Sequence, residues 1–183
     1  MRPMDRRFVM RAASAATLAV ATGATLAPRE ARTQGVAPRL LSPGEVTCLE
    51  SVGECLVPGA REEGIAHFID QQCSGPPHAA LLGLRFTNAP PPFIGFYKSA
   101  LGEIERQSML RHAKAFASVS AEERHAFVDL MRQGRLADWS GPPQGLVYRI
   151  LRDDAVDVVY GTVAGFDRLE VPYMPHIAPT ERW

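Results

Sequence analysis

The sequence predicts an all-α fold, a small domain of about five helices followed by a long irregular tail that contains several prolines. Three observations lead to this prediction. Apolar residues recur every three or four positions in several separate segments, which is the period of an amphipathic helix. Two of these segments begin with a capping-box pattern, S-P-G-E at residues 42–45 and S-A-E-E at residues 120–123. No segment alternates strongly between apolar and polar residues, so little sheet is expected.

The first two helices are expected to form an antiparallel pair. The first begins with Ser42 as its N-cap and Pro43 at its first helical position, and Pro58-Gly59 ends it. Its apolar positions are Val46, Leu49, Val52 and Leu56. The second covers about residues 60–72 and follows after a short connection, which favours antiparallel packing. Its inner face carries Ile65, Phe68 and Ile69, and its outer face carries Arg61, Glu62, Glu63 and Asp70.

Three further helices are predicted after a loop-rich stretch at residues 73–92. The third covers about residues 92–117. The fourth begins at Ser120 and ends just before Gly134, because glycine is common at the position that follows a helix C-terminus. The fifth covers about residues 144–152. We expect residues 42–183 to form one domain whose last part, residues 157–183, is an irregular tail.

The N-terminus resembles a twin-arginine export signal. Arg6 and Arg7 lie in the stretch D-R-R-F-V-M-R and precede a weakly hydrophobic segment at residues 12–27. That segment is shorter than the ~20 strongly apolar residues of a membrane-spanning helix. The alternatives are an ordinary secretory signal and an alanine-rich start of a cytosolic chain. We therefore expect residues 1–27 to be a signal segment, residues 28–41 a linker, and the protein to be periplasmic.

Three cysteines follow the signal segment, so an oxidising compartment allows one internal disulfide at most. Cys48 and Cys55 are seven positions apart, a rise of ~10 Å on one helix, which is too far for a disulfide between them. If a bridge forms within the chain, it should join Cys73 to Cys48 or to Cys55. The remaining cysteine is then either buried as a small apolar residue or paired with another subunit.

The sequence carries no recognisable cofactor or catalytic motif. Its 20 basic and 20 acidic residues balance, which argues against a nucleic-acid partner. There is no G-x-G-x-x-G, C-x-x-C-H, P-loop or H-E-x-x-H motif, and the histidines lack the spacing of zinc ligands. Asp153, Asp154 and Asp157 favour a solvated helix end or cap over a paired-carboxylate active site. A signal typical of cofactor-loaded proteins therefore precedes a chain without a cofactor motif, and we expect the cofactor to belong to a partner.

Two motifs and the leader, in this order, resemble the gluconate 2-dehydrogenase subunit 3 family. The front motif lies at residues 58–60 and continues at Phe68, Ile69 and Asp70. The back motif consists of Asp157, Val158, Tyr160, Gly161, Gly165, Phe166, Pro172 and Tyr173. Many family members have Y-G-G-N where this chain has Tyr160-Gly161-Thr162-Val163, a departure that concerns the substrate of the complex.

The resemblance implies a small subunit with no catalytic, cofactor-binding or metal-binding residues of its own. Its partner would be a large FAD-containing dehydrogenase subunit of the glucose-methanol-choline type, and a multihaem cytochrome c subunit would accept the electrons at the membrane. The small subunit would carry the export signal of the pair to the twin-arginine translocase and assist the folding of the flavoprotein. A stand-alone periplasmic helical enzyme or ligand-binding protein is the alternative.

The C-terminal tail is the predicted contact surface for the partner, because aromatic residues and methionine are enriched at interface cores. The candidate contact residues are Tyr160, Gly161, Phe166, Tyr173, Met174, His176 and Trp183. The alternative is that the tail wraps around the helices of its own chain.

Overall fold

The computed structural model describes residues 26–172, and within this range it contains seven α-helices and no strand, which confirms the predicted all-α class. The helices are α1 Pro28–Thr33, α2 Pro43–Leu56, α3 Ile65–Ser74, α4 Ile94–His112, α5 Ala121–Arg132, α6 Gln144–Tyr160 and α7 Val163–Arg168. Short 3₁₀ turns lie at Pro77–Ala79, Gly83–Phe86 and Phe116–Ser118. No helix among these residues is both long and apolar enough to cross a membrane.

Helix α2 lies at the centre of the domain and packs against α3, α4, α5 and α6. Its inward side chains, Cys48, Leu49 and Val52, are fully buried. Gly53 is buried where α2 meets α3, and a Cβ atom there would lie 2.9 Å from the Ile65 side chain. A side chain at Gly53 would therefore require the Ile65 side chain to shift, so glycine allows close packing at this point.

Both predicted capping boxes are present. The Ser42 side chain accepts a hydrogen bond from the Glu45 backbone N–H, and the Glu45 carboxylate accepts one from the Ser42 backbone N–H at the start of α2. Ser120 and Glu123 make the same exchange at the start of α5. Gly134 follows α5 with a φ of 68°. The two capping boxes and the glycine after α5 each involve only residues close together in the chain, and the structure confirms all three.

The second and third predicted helices are shorter than expected. The chain forms turns from residue 58 to residue 64 and enters α3 only at Ile65. The Glu54 carboxylate holds these turns by accepting hydrogen bonds from the backbone N–H groups of Gly59 and Arg61. Helix α4 ends at His112 because Ala113 adopts a left-handed conformation with a φ of 51°.

The fifth predicted helix is longer than expected, since α6 runs to Tyr160 and not to residue 152. The three aspartates at residues 153, 154 and 157 therefore lie inside a helix, and the prediction of a solvated helix end or cap is wrong. Asp154 is fully buried, accepts a hydrogen bond of 2.6 Å from the Tyr97 hydroxyl, and accepts another from the Gly83 backbone N–H. These bonds to distant segments satisfy a carboxyl group that an isolated helix would expose.

The predicted irregular tail is partly helical. Residues 157–160 complete α6, and α7 occupies Val163–Arg168 with its first turn capped by the Thr162 side chain. The tail residues 173–183 lie outside the described part of the chain.

The predicted linker at residues 28–41 is also wrong in its first half, because it contains α1, whose Ala31 side chain is buried. Helix formation there is supported by Pro28 at the N-terminal position of α1 and by the contacts of this segment with α3, which the next section describes.

The three cysteines are free thiols in the structure, so the predicted pairing of Cys73 with Cys48 or Cys55 is not made. They lie in three different surroundings. Cys48 lies beside Glu105, the Cys55 sulfur is 3.6 Å from the ring of His125, and Cys73 lies near Asp154 and Asp70. Cys48 is buried, and Cys55 and Cys73 are partly buried.

Candidate partner-binding surface

Helix α7 packs directly onto the backbone of α6, and a glycine makes this possible. Gly165 is buried, and a Cβ atom at this position would lie 2.5 Å from both the Tyr160 Cα and the Val159 carbonyl oxygen. No L side chain fits at that distance without moving one of the helices. Gly165 therefore fixes the position of α7 on the end of α6.

The end of the described chain carries a group of exposed apolar side chains. Val156 lies one turn before the end of α6, Val163 begins α7, and two more follow the helix; together they are Val156, Val163, Leu169 and Val171. Glu170 between the last two has a φ of 55°, and the Val171 backbone N–H donates to the Phe166 carbonyl. This bond pattern is that of a Schellman motif, which turns the chain sharply after α7. Exposed apolar residues grouped in this way are typical of protein-binding surfaces.

A buried carboxylate holds α7 against the other end of the chain. The Arg168 side chain donates a hydrogen bond to Glu63, which lies in the turns before α3. The same carboxylate accepts a bond of 3.2 Å from Arg29 in α1, and Arg29 also reaches Glu62 at 2.9 Å. Glu63 thus joins the first and the last described helices.

The segment at residues 26–41, which we call the N-terminal segment, is fastened along α3 by polar side chains. Gln71 donates to the Leu26 carbonyl oxygen at 3.0 Å, and the His67 ring donates through Nε2 to the Val36 carbonyl oxygen at 2.8 Å. The Asp70 carboxylate accepts three backbone N–H groups, those of residues 39, 40 and 41, at 2.9, 2.7 and 3.1 Å. Asp70 is almost fully buried, and these bonds replace the water it has lost.

A glycine also brings the N-terminal segment close to α3. Gly64 has a φ of 83°, and a Cβ atom there would lie 2.4 Å from the Pro28 carbonyl oxygen. Both the backbone conformation and the space therefore require glycine. Where the sequence predicts a linker, the chain makes close and specific contacts with the domain.

The predicted contact residues divide into those inside and those outside the described chain. Tyr160 is half-buried at the end of α6, Gly161 follows it and is exposed, and Phe166 is half-buried in α7. These three lie at the same end of the domain as the exposed valines. Tyr173, Met174, His176 and Trp183, together with Arg6 and Arg7 of the leader, lie outside the described residues and stay predictions.

Residues 26–172 contain no group of three or more side chains arranged to bind a metal ion. His67 and Asp70, which share a face of α3, are both bonded to the N-terminal segment. Burial raises the pKa of Asp154 to about 7, and it also raises the pKa of Tyr97. Because both groups are buried and bonded to each other, they join α4 to α6 within the core.

Three residues of this region escaped the sequence analysis. Glu63 and Asp70 were expected on the outer face of their helix, but both are buried. Both carboxylates bind partners that lie about 30 positions earlier in the chain, and Glu63 also binds one that lies 105 positions later. Helical periodicity describes only near neighbours and therefore cannot predict these contacts. Gly165 was part of the back motif, but its contact with α6 depends on the extension of α6 to Tyr160.

No curated protein and no solved structure matches this chain. One family model, described as gluconate 2-dehydrogenase subunit 3, matches residues 43–176. The match contains both motifs and six of the seven helices, and it begins just after the N-terminal segment. The chain therefore belongs to the gluconate 2-dehydrogenase subunit 3 family, a family of subunits of a dehydrogenase complex.

Proposed function

We propose that this chain is the non-catalytic small subunit of a periplasmic dehydrogenase complex. It binds the FAD-containing catalytic subunit, assists its folding, and carries it across the membrane by the twin-arginine route. Family membership supports an accessory role in a dehydrogenase complex. The cofactors, FAD in the catalytic subunit and c-type haem in a cytochrome subunit, are assigned to the partners by resemblance.

One observation carries the export role, namely the attachment of the N-terminal segment to the domain. A flexible tether would let a leader move independently of the folded protein behind it. Here, Gln71, His67 and Asp70 bind the backbone of residues 26–41 directly. Whatever the domain binds is therefore held close to residue 26, the point at which the described chain begins.

The folding role follows from mass action. A subunit that binds the folded form of its partner, and not the unfolded form, stabilises the folded form by an amount that grows with its concentration. The exposed apolar residues at the end of α6 and around α7, with Tyr160 and Phe166 beside them, provide the surface for such binding.

The export role is tested by replacing Arg6 and Arg7 with lysine in the full-length chain, produced together with the FAD-containing subunit. We expect the dehydrogenase activity to remain in the cytoplasmic fraction while the two subunits still co-purify. Activity that reaches the periplasm at the wild-type level would contradict the proposal.

The binding role is tested by deleting residues 176–183 and measuring co-purification with the FAD-containing subunit. We expect less of the flavoprotein to be retained. An unchanged amount would show that these tail residues are dispensable for binding, and the contact surface would then be restricted to α6 and α7.

A further inference from the structure

Both ends of the described chain are bound to the same helix and the turn that precedes it. Leu26, at the beginning, is held by Gln71 of α3, and Arg29 reaches Glu63 in the turn before α3. Arg168, four residues before the end, is held by the same Glu63. The leader and the tail are therefore both connected to the domain at this side.

Exposed apolar side chains lie in the same two segments of the chain as these contacts. Val36 belongs to the N-terminal segment and is 43% exposed, and its carbonyl oxygen accepts the hydrogen bond from His67 of α3. Leu169, which is 51% exposed, and Val171 follow Arg168 directly. We call this surface the terminal face and define it by Arg29, Val36, Arg168, Leu169 and Val171.

The charges of the terminal face are balanced. Arg29 and Arg168 are both paired with carboxylates, those of Glu62 and Glu63. An anionic membrane surface or a nucleic acid would be attracted by an excess of basic side chains, and this face has none. Paired arginines beside exposed aliphatic side chains fit a folded protein instead, because interface cores are apolar and enriched in arginine. Since the guanidinium groups already have partners, covering them leaves no charge uncompensated.

We propose that the terminal face is the docking surface of the FAD-containing catalytic subunit, so that the N-terminal segment forms part of the interface. This inference rests on the proposed function and adds a location to it. The N-terminal segment and α7 meet in this face, because Glu63 is bonded to Arg29 of one and to Arg168 of the other. A partner seated there covers Arg29 and the beginning of the N-terminal segment.

The inference is tested with a photo-reactive amino acid placed at single positions of the full-length chain, which is produced together with the catalytic subunit. The test positions are Val36 and Leu169. The control position is Leu110, which is 66% exposed on α4, a helix that packs against α2 and the Phe116–Ser118 turn. Cross-linked products are identified by peptide mass spectrometry and by their FAD content. We expect Val36 and Leu169 to cross-link to the flavoprotein and Leu110 to give none of this product.

Substitutions provide an independent readout. Val36→Glu and Leu169→Glu should each reduce the amount of co-purified flavoprotein at least tenfold, and Leu110→Glu should leave it unchanged. The melting temperature of each variant chain is measured alone, and only variants that melt within a few degrees of the wild type are compared. Because the Val36 and Leu169 side chains point into solvent, we expect both to pass this check.

The outcomes separate this inference from the proposed function. If no flavoprotein co-purifies with the wild-type chain, the proposed function fails and the inference fails with it. If the flavoprotein co-purifies but Val36 cross-links to nothing, to a second copy of the chain or to a translocase component, the inference is overturned and the proposed function stands. Cross-links from Val36 and Leu169 to the flavoprotein support both.

Discussion

Arg168 donates a hydrogen bond to the carboxylate of Glu63, 105 positions earlier in the chain. Glu63 has only 10% of its side chain exposed, whereas about half of the Arg168 side chain faces solvent. A carboxylate in this position needs a cationic partner more than the arginine needs an anionic one. Glu63 is therefore the member of the pair whose replacement should affect the fold, and it links α7 to α1.

Replacing Glu63 with glutamine should loosen α7 more than the rest of the domain. Glutamine keeps one acceptor oxygen but loses the charge that strengthens the bonds to Arg29 and Arg168. We expect a loss of about 1 kcal/mol in the free energy of unfolding. Hydrogen exchange of the amides of residues 165–171 should accelerate well before exchange in α2 changes.

Glu62→Gln is the matched control for this substitution. Glu62 also pairs with Arg29, but its side chain is largely exposed. Solvent screens such a pair, so the free energy of unfolding should change by less than about 0.5 kcal/mol. Equal effects of the two substitutions would contradict the special role given to Glu63.

Asp70→Asn should release the N-terminal segment from α3. The asparagine side chain offers one carbonyl oxygen where three backbone N–H groups need acceptors, and its own NH₂ group would face one of those donors. A buried donor without a partner costs about 1–3 kcal/mol. The loss is measured by urea unfolding, and the release by faster proteolysis within residues 28–41. Proteolysis at the wild-type rate would show that other contacts suffice to hold the segment.

Gly165→Ala should displace α7 from the end of α6. The added methyl group would meet the backbone of Tyr160 and Val159, which cannot retreat as a flexible side chain can. We expect a loss of roughly 1–3 kcal/mol, the range for overpacking, together with lost amide protection in α7. Gly102→Ala is the control, because a Cβ atom at this exposed position of α4 meets nothing within 4 Å. It should stabilise the protein by about 0.5–1 kcal/mol.

The stability of the domain should fall as the pH rises from about 4 to about 7. Burial raises the pKa of Asp154 to about 7, so in this range the folded protein keeps a proton that the unfolded chain releases. The unfolded state then binds fewer protons, and the free energy of unfolding declines by up to about 1.4 kcal/mol per pH unit. Urea unfolding at pH 4.5, 5.5, 6.5 and 7.5 would measure this slope.

Asp154→Asn should remove most of this slope. The amide has nearly the same shape and can bond with both Tyr97 and Gly83, yet it does not titrate. Below pH 4 a second carboxyl group acts in the opposite direction. Hydrogen bonds from Arg106 and Ser140 lower the pKa of Glu103 to about 2, so the stability that this group contributes is lost as the pH falls from about 4 to 2. A slope unchanged in Asp154→Asn would show that another group causes it.

The features that could be predicted from the sequence are those fixed by near neighbours. The helix starts at Ser42 and Ser120 were found because each capping box lies within four residues. The end of α6 was missed because the aspartates at residues 153 and 154 suggested a helix terminus, whereas the bond from Tyr97, 57 positions earlier, allows Asp154 to continue the helix in the core.

The candidate surface was predicted in part for the same reason. Tyr160, Gly161 and Phe166 were identified from the back motif and lie beside the exposed valines. The residues of the N-terminal segment show no helical periodicity, so the sequence alone predicts a linker there. Its attachment depends on side chains of α3 that lie about 30 positions away in the chain. The local pattern of residues 28–41 therefore cannot predict this attachment.

The three free thiols have a consequence for the reactivity of the folded domain. Burial raises the pKa values of Cys48 and Cys55 and raises that of Cys73 to about 12, so all three stay protonated near neutral pH and react slowly with disulfides. The described helices pack together without any cross-link. A disulfide reagent should therefore label these thiols more slowly in the folded domain than after unfolding.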